Sequence, residues 1–302
     1  MAAQTGLRAR VLGVCLMLVS WAGLAQAASS ATQYRTYIVG PWGQIHVRVD
    51  GDMPGSPPTV ILLHQMVWSS VQFQNAQPML AKLGVRSIAV DIPGYGLSDG
   101  PNFVPTAEQY AETLLPVLDH FKIGKATLLG NHTGATLLVA FAIAHPDRVA
   151  RLILQGPPVF DAKTQQALIA EKPFDQTPRP DGGHLIERWK QASSSFGANT
   201  SIASQQQSVM QFFTAGPNEW YAHDAVFRYD LASALKRLTA STLILTNPGD
   251  SLHRAALDLK QQRPEFDLVQ LDWPGAHAIY DNPGPWAAAV AADVMAHRAQ
   301  QP

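Results

Sequence analysis

The sequence predicts an α/β protein, a doubly wound and mostly parallel sheet carrying one helical insertion. Three observations point there. Short continuous apolar runs alternate with stretches of helical period. An apolar run enters a glycine-flanked turn, Gly130-Asn131-His132-Thr133-Gly134, and leaves it as a helical pattern. From about 158 to 238 no strand-like run occurs at all.

The elements follow in order. Residues 35–39 and 45–49 are β-like and flank Gly40-Pro41-Trp42-Gly43, a hairpin signature, so they should form an antiparallel edge. The runs 59–63, 87–90, 126–129, 151–154, 242–245 and 268–271 are continuously apolar, as expected of strands buried on both faces. Helical patterns cover 71–83, 106–121, 135–144 and 255–262, and 285–298 closes the chain. Strands alternating with helices imply βαβ units, for which right-handed crossovers leave few arrangements. The interval 158–238 carries amphipathic segments at 185–192, 204–213 and 222–235. Structureless loops of that length are uncommon, so it reads as a helical cap on a core formed by 28–157 and 239–302.

Residues 1–27 read as a secretion signal: Arg8 and Arg10, an apolar run 11–24, then Ala25-Gln26-Ala27 as a cleavage site. The run of about 14 residues is short of the ~20 needed to span a bilayer, so no membrane anchor is expected after cleavage and the mature protein should be periplasmic or secreted. The single cysteine, Cys15, falls inside this segment, leaving the mature chain without a disulfide. A net charge of −1 with no basic cluster argues against nucleic acid as a partner. A small molecule is the expected partner.

The turn at 130–134 has the form of a nucleophile elbow, a strained strand-to-helix turn whose flanking small residues let strand and helix approach. In this setting the chain resembles the α/β-hydrolase superfamily over nearly its whole length beyond the leader. The resemblance rests also on Leu62-Leu63-His64, on Asp91-Ile92-Pro93-Gly94-Tyr95-Gly96-Leu97-Ser98-Asp99 and on Ala144-His145-Pro146-Asp147-Arg148-Val149, which occur in the family's order. It implies that Asp250, in Pro248-Gly249-Asp250, is the catalytic acid and that His277, in Gly275-Ala276-His277, is the catalytic histidine. The carboxylate would fix the imidazole's tautomer. Asp230 and Asp281 are rival acids. The resemblance further implies an oxyanion hole from the backbone N–H groups of Thr133 and Met66.

The departure from the family is His132, which stands where the family places a nucleophilic serine. A second departure is His64-Gln65 in place of the usual His-Gly; Gln65 could add an amide donor, while His64 should support the loop. The Gly-x-His-Thr-Gly elbow resembles a bacterial subgroup that also shares Asp181-Gly182-Gly183-His184-Leu185 and Trp189. His184 is thus either a substrate-facing residue or a helix-start histidine. Trp68, Trp189, Phe212, Phe213, Trp220, Tyr221 and Phe227 offer aromatic surface for an apolar or aromatic ligand.

An imidazole at the elbow has the repertoire of nucleophile, acid, base and metal ligand. The leading reading is hydrolysis of an ester, lactone or related acyl bond by His132, His277 and Asp250, without a cofactor. Cofactor-free proton transfer of the lyase or isomerase kind and non-catalytic binding are the alternatives. The histidines lack the spacing of a ligand motif, so no metal is expected.

Overall fold

The computed structural model describes residues 32–53, 55–196 and 199–298, and the expected leader lies outside them. An eight-stranded sheet forms its centre. Strands β1 (Thr32–Gly40) and β2 (Gly43–Asp52) make the expected hairpin, with Gly40 opposite Gly43. β2 also pairs antiparallel with β4 (Arg86–Val90), and every later pairing is parallel. The order is β1-β2-β4-β3-β5-β6-β7-β8, with β3 at Thr59–Leu63, β5 at Ala126–Asn131, β6 at Val149–Gln155, β7 at Thr242–Thr246 and β8 at Asp267–Gln270. Because side chains alternate across a strand, β3 sends Ile61 and Leu63 into one apolar cluster and Val60 and Leu62 into another. Each fully buried aliphatic side chain contributes on the order of 1.5–3 kcal/mol.

On the Val60 and Leu62 face lie α1 (Gln77–Lys82) and α12 (Pro283–Ala296), with Leu80, Trp286 and Val290 in the core. The opposite cluster takes in α2 (Ala107–Glu112), α3 (Leu115–His120), α4 (Thr133–Ala144) and α10 (His253–Gln262). Helix α11 (Ala278–Asp281) precedes α12. Two expected helices are broken. The span 71–83 becomes a short 3-10 turn at Ser70–Phe73 followed by α1, and 106–121 becomes α2 and α3. In each case a proline, Pro78 or Pro116, sits in the first turn of the second helix, where its missing N–H is harmless and restarts the ladder. β8 departs from expectation in burial: it is the sheet edge and only half-covered.

Between β6 and β7 the chain is helical: α5 (Ala162–Ala170), α6 (Gly183–Phe196), α7 (Ile202–Ala215), α8 (Tyr221–Arg228) and α9 (Leu231–Arg237). Helix α4 is apolar on every side and buried from Thr133 to Ala142, which requires cover on its outer face. α8 and α9 supply it, and Ala222, Val226 and Leu231 join the same cluster as the sheet. The insertion therefore shares the core. Among the described residues no helix is long and apolar enough to cross a membrane.

Candidate active site

The end of β5 and the start of α4 set the elbow. His132 takes φ 47° and ψ −106°, a strained conformation for a residue with a Cβ. Its N–H is anchored on the Gln155 carbonyl at 2.8 Å. A Cβ on Gly130 would collide with the Gly134 backbone, and one on Gly134 with the Leu63 carbonyl, so both glycines are required for the close approach.

From this turn the His132 imidazole reaches Asp250. Its Nε2 lies 2.9 Å from Oδ1 and 3.0 Å from Oδ2, so Nε2–H donates to the carboxylate and Nδ1 has no hydrogen-bond partner among the described residues. Asp250 is held by the turn after β7, and its Oδ1 also accepts the Leu252 N–H at 2.8 Å. Burial pushes the Asp250 carboxyl up, but the imidazole's charge and hydrogen bond and the Leu252 N–H outweigh it and hold it below the usual range.

His277 immediately precedes α11 and is buried, with Phe196 4.4 Å and Trp68 5.2 Å from its ring, centroid to centroid. The loop that carries it is tied to the acid loop by Asn247, whose amide donates to the carbonyls of Trp273 at 3.1 Å and Gly275 at 2.9 Å. Nδ1 of His277 is 3.1 Å from Oγ of Ser204, and Nε2 is buried without a hydrogen-bond partner among the described residues. Burial lowers this imidazole to about 4, against the pull of Asp281 and Asp250 and with the push of His132. It is neutral near pH 7.

The insertion helices and Val67 line an open cavity of about 360 Å³. Phe174, Phe212, Trp220 and Phe227 give it aromatic walls, and Arg188, Glu219 and His223 give it polar ones. The Arg188 guanidinium lies 4.0 Å over the Phe212 ring. Burial raises Glu219 to about 7, with Arg188 opposing, and burial, then Arg188 and His132, lower His223 to about 4.

The model of the alpha/beta hydrolase fold family matches residues 58–195, and solved structures extend the likeness across the chain. An enol-lactonase from Burkholderia xenovorans superposes with a TM-score of 0.72 at 19% identity, covering 86% of this chain and 100% of its own. A thermophilic esterase from Thermogutta terrifontis gives 0.69 at 20%, covering 87% and 99%. The chain has the α/β-hydrolase fold. Curated relatives include 2-hydroxy-6-oxononadienedioate/2-hydroxy-6-oxononatrienedioate hydrolases. That of Cupriavidus pinatubonensis is 38% identical over 104 residues, 32% of this chain and 35% of the relative. That of Burkholderia vietnamiensis is 34% identical over 135 residues, 42% and 45%. The chain thus spans less than half the length of these curated relatives.

Against the pattern expected of an α/β-hydrolase, the main correction concerns the acid. Asp250 was expected to hold His277, yet it pairs with His132, because an imidazole extends farther from the elbow than a serine hydroxyl and arrives at the carboxylate itself. Thr133 opens α4, so its N–H is among those a helix leaves without an internal partner; Met66 follows β3 in the adjoining loop. Gln65 turns Oε1 to the Asn131 amide at 2.7 Å, bracing this loop on the elbow. His64 is a supporting residue: Nδ1 donates to the Gln65 carbonyl at 2.9 Å and Nε2 accepts the Ile92 N–H at 3.0 Å. Trp68 packs on His277. His184 is not brought to the site; its Nδ1 accepts the Arg179 N–H at 3.3 Å and its ring meets Phe213. Of the rival acids, Asp230 caps α9 through the Ser233 N–H.

Sequence reasoning missed Gly156, whose Cβ would fall 2.6 Å from His132 Cδ2 and 2.7 Å from Asp250 Oδ2. Its position directly after an apolar strand was the available signal. Ser204, Arg188 and Glu219 were missed too. Among the described residues the grouping with metal-ligand spacing is Asp267, Asp293 and His297, far in sequence from the elbow, and both carboxylates there already bind Arg151.

Proposed function

We propose that the protein is an exported hydrolase acting on an ester, lactone or related acyl bond of a small apolar or aromatic molecule. The observation that carries this reading is the hydrogen-bonded pair of Asp250 and His132 at the elbow. A carboxylate on one ring nitrogen fixes the tautomer and stabilises the imidazolium that forms when the other nitrogen takes a proton. Here that other nitrogen is Nδ1. His132 Nδ1 removes a proton from water as the water oxygen bonds to the acyl carbon. The N–H groups of Thr133 and Met66 meet the oxyanion, and the His132 imidazolium returns its proton to the departing oxygen. His277 is neutral, and its Nε2 accepts the water's second hydrogen, orienting the attack. The names of the relatives, which include hydrolases, an esterase and an enol-lactonase, support the reaction class, and the aromatic cavity supports the substrate class.

A panel of aryl esters and lactones tests the reading. His132→Ala should lower kcat on the best substrate by roughly 10²–10⁴, the usual value of a positioned base. Unchanged turnover would remove His132 from the mechanism. Deuterium entering a carbon of recovered substrate, with no hydrolysis, would place the chemistry in proton transfer instead. For export, N-terminal sequencing of the protein from a periplasmic fraction should begin at Ala28; an intact leader there would contradict cleavage after Ala27.

A further inference from the structure

The second imidazole has a carboxylate of its own, reached through the insertion. Ser204, on α7 and fully buried, places Oγ 3.1 Å from His277 Nδ1 and 2.9 Å from Asp281 Oδ2. Asp281 ends α11, the helix that His277 immediately precedes. The same carboxylate receives Ser201 Oγ on Oδ1 at 2.5 Å and the Ser201 N–H on Oδ2 at 3.2 Å, so it fastens the start of α7 to the core.

The direction of the protons follows from what each group can do. An ionised carboxylate only accepts, so the Ser204 hydroxyl donates its single proton to Asp281, or shares it with the Ser201 carbonyl at 3.1 Å. Either way its lone pair is what faces His277, and Nδ1 must carry the hydrogen. Nε2 is then the bare acceptor.

We propose that Ser204 and Asp281 are positioning residues, a relay that locks His277 in its Nδ1–H tautomer and so makes the helical insertion part of the catalytic apparatus. The relay does for His277 what Asp250 would have done had His132 not occupied it. It rests on the hydrolase reading for its catalytic consequence, though not for the tautomer. Trp68 and Phe196 fix the ring plane from either neighbour; the relay fixes the proton.

The test uses the full-length mature protein carrying ¹⁵N-histidine, with Ser204→Ala, Ser204→Thr and wild type compared. In wild type the His277 ring nitrogens should report hydrogen on Nδ1. Ser204→Ala should shift the ring toward the Nε2–H form that free imidazoles favour, and lower kcat about tenfold, the worth of one hydrogen bond, with KM little changed. Ser204→Thr keeps a hydroxyl and should restore both. A His277 that stays in the Nδ1–H form in Ser204→Ala, or is Nε2–H in wild type, overturns the relay. Should the tautomer move while His132→Ala retains full turnover, the relay stands and the hydrolase mechanism falls.

Discussion

Two imidazoles stand at this site, each backed by a carboxylate, and the two supports are built differently. His132 is held by Asp250 directly, and the two residues belong to turns at the ends of β5 and β7, strands that flank β6 in the sheet. His277 is held by Asp281 through a serine that the insertion lowers onto it. The first pair is a property of the sheet; the second exists only when the insertion is docked. The replacement at the elbow accounts for the first, since the imidazole that takes the place of a hydroxyl also takes the carboxylate.

The largest effect that separates the two supports should come from Asp250→Asn. It leaves the shape intact but permits the wrong His132 tautomer, and should lower kcat by about 10²–10⁴, well beyond the tenfold expected of the serine relay. Equal losses in Asp250→Asn and Ser204→Ala, measured on one substrate, would show that neither imidazole has priority.

Gly156→Ala strikes only the first support. Gly156 has φ +53°, and the added Cβ would press on both His132 and Asp250. Strain of about 1–3 kcal/mol is expected in thermal or urea unfolding, with turnover falling while the His277 ring signals stay put. A fully active, equally stable variant would mean that the pair tolerates displacement.

How much of this was legible in sequence follows from the range of each interaction. The strands and the elbow are local patterns, and residues 126–134 announce themselves through apolar run, glycine and helix. Asp250 and His277 were found because each follows a strand end, where α/β sheets gather their functional side chains. Which imidazole Asp250 would bind was not legible, because it depends on reach across 118 residues. Ser204 lies 73 residues from His277 on a helix whose pattern fixes a face but not a docking partner. Pro78 and Pro116 were visible, yet the apolar periodicity on either side of each masked the break. His184 was drawn toward the site by motif alone, and its hydrogen bond to Arg179 shows a local role in starting α6.

The smallest effect concerns acid stability. His277 and His223 are both lowered from 6.5 to about 4, chiefly by burial. Between those values the unfolded chain binds protons that the two folded imidazoles refuse, so these groups lower stability as pH drops from about 6.5 toward 4, while Glu219, raised to about 7, acts the other way over the same window. Asp250 acts lower down: its depressed carboxyl gives stability that is present above the ordinary carboxylate range and lost as pH falls through the folded value. Replacing His223 with Gln removes one of the two refused protons and leaves the His277 relay intact. The Tm of His223→Gln should therefore decline less than that of wild type between pH 7 and 4.5, at roughly 2–4 °C for each kcal/mol in a chain of this size. Parallel Tm profiles would mean that His223 takes up its proton as readily folded as unfolded, and that acid sensitivity in this window belongs to His277 and its link to the insertion.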